Sequence, residues 1–246
     1  MDELAWFRAA DNSPAMEWVA LGLGKQKQTI SIQPPTDIES YRLDKPLSRW
    51  RRNYIAALKI AELELSDLPP LQRVLELLRW MHDDFILAGP AAMLACIYFA
   101  PFSPPRSGLF KSLRSLDRQR AINGVKNAAW DLTHISDFVR RISAERGGST
   151  RYVLASGDAG LRAVARIVVP QTNETEQFEQ CANVLAQWWP SEDAKQISLA
   201  AADYFSRGRD ASWLEAHKHR PNLIADLTNQ GEQLLLGWQD GQKQHN

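Results

Sequence analysis

The chain is poor in the residues that usually fix a chemistry. It has two cysteines in 246 residues, Cys96 and Cys181, which lie far apart in sequence and are not spaced as a zinc clip or redox motif requires. Each sits in an apolar helical pattern and reads as a small buried hydrophobe. The histidines are scattered at 82, 134, 217, 219 and 245. His217 and His219 on one helix would point to different sides, which argues against zinc. There is no Walker-type Gly-Lys-Ser/Thr loop, no dinucleotide Gly-x-Gly-x-x-Gly, no Gly-x-Ser-x-Gly elbow and no His-Glu-x-x-His. Gly22-Leu-Gly24-Lys25 lacks the preceding strand and following hydroxyl of a phosphate loop. An excess of one charge is also missing, since Lys plus Arg and Asp plus Glu both number 29. Only a local basic patch could therefore attract a polyanion. Met1-Asp-Glu-Leu-Ala has neither the positive start nor the apolar stretch of a signal peptide. The apolar run Phe85 to Phe102 is interrupted by Gly89-Pro90 and entered by Asp83-Asp84, so it reads as a buried helix rather than a membrane span. A soluble, cytoplasmic protein is the expectation.

What the chain does contain is helical patterning over a sizeable hydrophobic fraction of 44%, enough for a globular core. Leu4, Phe7, Trp18 and Leu21 suggest short helices broken at Asn12-Ser13-Pro14. Leu47, Trp50, Tyr54, Leu58, Ala61 and Leu65 share one helical face, and after the break at Asp67-Leu-Pro-Pro a second helix starts with Leu71, Val74, Leu78 and Met81. Asp84 to Phe99 is apolar nearly all round and is expected to be the central helix. A Pro/Ser-rich loop, 101–108, leads to the cations Lys111, Arg114, Arg118 and Arg120, which read either as a solvated helix face or as a nucleic-acid contact joined by Lys126. Leu116 to Glu145 carries the stripe Ile122, Val125, Ala129, Leu132, Ile135, Val139 and Ile142. Gly147-Gly148 ends it. Tyr152-Val-Leu-Ala155 then reads as a buried strand, followed by a helix and a further strand at Ile167–Val169. That alternation is the pattern of a parallel α/β unit. Thr29–Ile32 is a further strand-like stretch. Beyond Pro170 the spacing is helical throughout, with Ser191 expected as the cap of a helix.

Two acids stand out. Asp158 in Ala-Ser-Gly-Asp158-Ala-Gly follows the expected strand, at the sheet edge where α/β proteins bind ligands. It would equally serve as a helix cap. Asp131 interrupts the helical run Asn127-Ala-Ala-Trp-Asp131-Leu-Thr, and would equally be a plain exposed residue.

Asn-Ala-Ala-Trp-Asp131-Leu-Thr on a helix, followed by Tyr-Val-Leu-Ala-Ser-Gly-Asp158-Ala-Gly-Leu, resembles the C-terminal half of PIN-like nuclease domains. The resemblance implies a three-layer α/β domain with a short parallel sheet, here 1–170, followed by an all-helical C-terminal extension, 171–246. It also implies that Asp131 and Asp158 are catalytic metal ligands for Mg2+ or Mn2+. An earlier acid of the family falls on Asp84, with Asp83 or Glu62 as alternatives. Such a site would hydrolyse phosphodiester bonds in RNA, because hard cations take oxygen ligands and activate water. A toxin or defence effector restrained by a partner protein fits this reading. One departure stands: no strand ending in an aspartate opens the sequence. Either that start is absent, or Asp37 substitutes, or the site is degenerate. The rival expectation is an inert helical module that binds a partner protein, with Trp188-Trp189 and Trp213 either forming an aromatic contact patch or filling the core.

Overall fold

The computed structural model describes residues 13–27, 47–103, 109–145, 148, 150, 152–154, 165, 181–208, 210, 212–213, 215 and 220–239. Among these residues the regular elements are helices and no strand is found. The expected three-layer α/β domain with a parallel sheet is thereby corrected to a helical fold. The physical reason is visible at Tyr152-Val-Leu154, the first part of the expected strand, which is irregular and leaves Val153 89% exposed. A short apolar run becomes a strand only when neighbours accept its backbone groups, and among the described residues no strand pairs with 152–154. Thr29–Ile32, Ile167–Val169, Asp158 and the expected boundary at 170 lie outside the described residues.

The chain divides into two compact units, Met1–Pro46 and Leu47–Asn246. In the first, α1 spans Ala15–Gly22 and starts directly after Pro14. It ends at Leu23, and Gly24 follows with φ +69°, a left-handed conformation that suits glycine after a helix.

The second unit is built from α2 (Ser48–Leu65), α3 (Pro70–Asp83), α4 (Gly89–Tyr98), α5 (Arg118–Ala144), α6 (Ser191–Arg207) and α7 (Leu223–Gly237). Helix α2 is the one the others gather on: α5 and α7 pack along it most extensively, and α3 and α4 also touch it. Its small residues Ala56, Ala57 and Ala61 are wholly buried, which lets neighbouring backbones come close. Gly231 of α7 uses that closeness, since a Cβ there would lie 3.0 Å from Leu58 Cβ. The register of α2 against α5 is fixed by a buried polar contact. Asn53 Nδ2 donates to Thr133 Oγ1 at 3.1 Å, and Thr133 Oγ1 donates to the Ala129 carbonyl at 2.7 Å. Buried groups satisfied in this way specify one alignment of the helices, because a slip would leave them unpaired.

The α2–α3 turn is clamped by Arg73, which donates to the Leu68 and Ser66 carbonyls and to Glu64 Oε2 at 2.8 Å. Helix α4 is shorter than the expected Asp84–Phe99, because Pro90 belongs in a first turn and residues 84–88 precede the helix. Asp117 caps α5, its carboxylate accepting from Arg120 N at 3.0 Å. Ser191 is the first residue of α6 rather than its cap. Pro190 holds that place in an extended conformation, while Glu192 and Asp193 still occupy the positive end of the helix. No described helix is long and apolar enough to cross a membrane.

Candidate functional site

The acids expected to share a metal are placed as follows. Asp84 is exposed in the position that closes α3, and Asp131 is half-buried on α5. Asp83 is held by its neighbours: His82 Nδ1 lies 2.7 Å from its carboxylate and Arg79 Nη1 3.4 Å. The hydrogen bond from His82 leads in keeping the Asp83 carboxyl below its ordinary range. Glu62 pairs with Lys59 at 2.7 Å. Among the described residues no three His, Cys, Asp or Glu side chains gather in a group able to hold a metal. Asp158 lies outside them, and Asp84 and Asp131 belong to no such group.

The basic segment is partly structural. Arg118 turns inward: Nε donates to the Leu235 carbonyl at 2.8 Å, and Nη1 donates to Leu113 O at 2.9 Å and Ser115 O at 2.8 Å. Its guanidinium carbon sits 4.8 Å from the ring centre of Trp238. Arg114 reaches the Glu64 carbonyl at 3.2 Å. With Tyr98, Phe110 and Arg120, the residues Glu64, Leu113, Arg114 and Ser115 line a shallow depression of about 520 Å³. Lys111 is exposed. Lys126 stands 3.6 Å from Glu232 and over the Tyr54 ring. The turn bearing Lys111 lies hard against α5 at Gly124, where a Cβ would overlap the Lys111 carbonyl. Gly124→Ala is therefore expected to lower stability by about 1–3 kcal/mol through overpacking, despite alanine's helix preference of roughly 1 kcal/mol. A urea midpoint that rises instead would mean the turn does not press on the helix.

A second cluster joins α2 to α5 and reaches the surface. Tyr54 is buried at the cluster's inner end, and its hydroxyl donates to Glu232 Oε1 at 2.6 Å. Burial first, then that bond, push the phenol well above its ordinary range. Trp50 stacks on Tyr54 at 5.1 Å and 15°. Trp130 leans on Trp50 at 5.8 Å, and His134, one helical turn further, lies 6.2 Å from Trp130. Trp130 is 43% exposed and His134 is exposed as well. An aromatic ladder thus runs from core to solvent. The inner rings hold the outer one, as packing against a rigid helix pair does.

Beyond His134 on the same face of α5, Asp137 collects three arginines. Arg49 Nη1 lies at 2.6 Å, Arg140 Nη2 at 2.9 Å and Arg141 Nε at 2.7 Å. The Arg141 hydrogen bond is the main cause that holds the Asp137 carboxyl down to about 2, with Arg140 helping and burial opposing. A depressed carboxyl contributes stability that is present above its unfolded value, 3.8, and lost as pH falls through the folded one. The Arg49 tie between α2 and α5 is therefore expected to persist below pH 3.8 and to loosen toward about 2. A carboxyl carbon-13 titration of Asp137 should show that midpoint, and Arg141→Gln should raise it. An ordinary midpoint in the wild type would remove the cluster.

Comparison with protein-family models, curated proteins and solved structures finds no match in any of the three. The tryptophans named from sequence lie mainly inward. Trp189 is buried with Nε1 donating to the Cys96 carbonyl at 2.7 Å, Trp188 packs against the core, and half-buried Trp213 donates to the His82 carbonyl at 3.0 Å. Trp130, not singled out from sequence, is the one at the surface ladder. Its signal is register: it lies next to Ala129 but off the stripe of Val125, Ala129 and Leu132, with His134 four residues on.

Proposed function

We propose that this protein is a helical nucleic-acid-binding module, with RNA the partner expected from its sequence, acting by contact rather than by hydrolysis. The observation that carries this reading is the local charge beside the exposed aromatics: three guanidinium groups share the single carboxylate of Asp137. The two positive charges left over, together with exposed Arg51 and Arg52 at the start of α2, supply guanidinium donors suited to phosphate oxygens. Such binding must weaken with salt. If about three phosphates are neutralised, affinity for a single strand falls roughly twentyfold between about 50 and 200 mM salt. Anisotropy titrations with a labelled oligouridylate test this, and salt-independent binding would contradict it. The strand is expected to stay intact with Mg2+ or Mn2+. Cleavage that disappears in Asp158→Asn or Asp131→Asn would return the chain to the nuclease reading.

A second reading rests on α1, an apolar helix with no buried residue, in which Met16 is 74% and Trp18 47% exposed. Such a surface suits contact with another protein, including a second copy. Sedimentation over a concentration series should show association that Trp18→Glu abolishes. A monomer at every concentration would remove self-pairing.

A further inference from the structure

The exposed end of the aromatic ladder has a chemistry of its own. Trp130 is 43% exposed and leans at 41° on Trp50, which is itself stacked on buried Tyr54. His134 lies beside it, with the ring planes 31° apart. A tryptophan placed at the surface leaves apolar area in water, at a cost that a planar ligand would remove. Along α5, Trp130, His134, Asp137 and Arg141 follow at spacings of three or four and so share one face. The distance from Trp130 to Arg141 along the axis is about 16 Å. A planar group on Trp130 and anions near Arg140 and Arg141 would thus lie on one track. Base and phosphate are separated in this way only in an unpaired strand, whose bases are free to turn onto an aromatic face.

We propose that Trp130 is a base-stacking platform for single-stranded nucleic acid, with His134 extending it and the Arg49–Arg140–Arg141 cluster holding the adjacent phosphates. This rests on the nucleic-acid reading above and narrows it to unpaired strands and to one aromatic residue. Duplex nucleic acid keeps its bases stacked inside and has nothing to place on an indole.

The test uses the full chain and fluorescein-labelled oligouridylate about 12 nucleotides long, within the range that single-strand sites cover. Oligothymidylate, an abasic strand and a duplex of the same length serve as further arms. Expected is tighter binding of the base-bearing strands than of the abasic strand or the duplex. Trp130→Ala should weaken oligouridylate binding about tenfold or more, Trp130→Phe should keep most of it, and neither should change binding of the abasic strand. Oligouridylate and oligothymidylate binding alike assigns the site to single strands in general, and a preference for the former assigns it to RNA; both support the platform. Equal binding of abasic and base-bearing strands, or a preference for duplex, overturns stacking while leaving nucleic-acid binding intact. That comparison uses the wild type alone, so it stands even if Trp130→Ala fails to fold. No binding of any strand overturns the platform and the nucleic-acid reading together.

Discussion

Trp189→Ala is expected to cost about 3–5 kcal/mol of stability, the range for emptying a buried aromatic site. The side chain is 2% exposed, and it does more than fill space. Its Nε1 donates to the Cys96 carbonyl at 2.7 Å, and the Phe102 amide donates to the Trp188 carbonyl at 3.1 Å. The 188–189 segment is thereby tied both to α4 and to the chain that leaves it. Alanine would create a cavity next to Cys96, whose thiol burial already pushes above its usual range, and would leave a carbonyl without its donor. Trp189→Phe keeps most of the packing and loses the hydrogen bond, so about 1–2 kcal/mol is expected. Urea unfolding measures both. An alanine variant within about 1 kcal/mol of wild type, close to the scale of surface changes, would place Trp189 outside the core.

Arg118→Ala is expected to cost about 2–4 kcal/mol, because bonds from a charged donor to several carbonyls are lost together. The carbonyls belong to Leu113, Ser115 and Leu235, so one side chain joins the turn before α5 to the end of α7. Its guanidinium also lies over the Trp238 ring. Lysine would not substitute, since a single ammonium on a flexible stem cannot reproduce a fork that bonds both ways at once. Thermal or urea unfolding of the alanine and lysine variants should show both shifted downward. If Arg118→Ala keeps its midpoint and instead weakens oligouridylate binding, Arg118 is a phosphate contact, as the charge pattern of the basic segment allows.

The helices were legible in the sequence wherever a stripe of apolar residues met a clear break. Leu47 to Leu65, the turn at Asp67-Leu-Pro-Pro and the long stripe from Ile122 to Ile142 all follow from three-to-four spacing and proline punctuation, and they appear as α2, α3 and α5, the last with its stripe buried to Ile135 and half-buried at Val139 and Ile142. The sheet failed for a physical reason: Tyr152-Val-Leu has the local composition of a strand, but only a neighbouring strand makes it one, and that is a tertiary fact. Ser191 missed the cap by one position because Pro190, extended at φ −52° and ψ 142°, takes that place first.

The candidate site was less legible. Which of Asp84, Asp131 and Asp158 converge depends on how helices pair, and spacing along one chain says nothing of it. Arg118 looked like its neighbours Arg114 and Arg120, and only the position of the Leu235 carbonyl separates it from them. Trp130 could be placed off the buried stripe by register alone. That it leans on Trp50 could not, because the meeting of the two rings depends on the alignment of α2 on α5, where Asn53 bonds Thr133.

The most direct measurement is ultraviolet cross-linking of the full chain to oligouridylate, with the linked peptides mapped by mass spectrometry. Cross-links at Trp130 and His134, lost when unlabelled oligouridylate competes, are the predicted result. Cross-links confined to the Lys111–Arg120 segment, or none that competitor removes, would contradict the account.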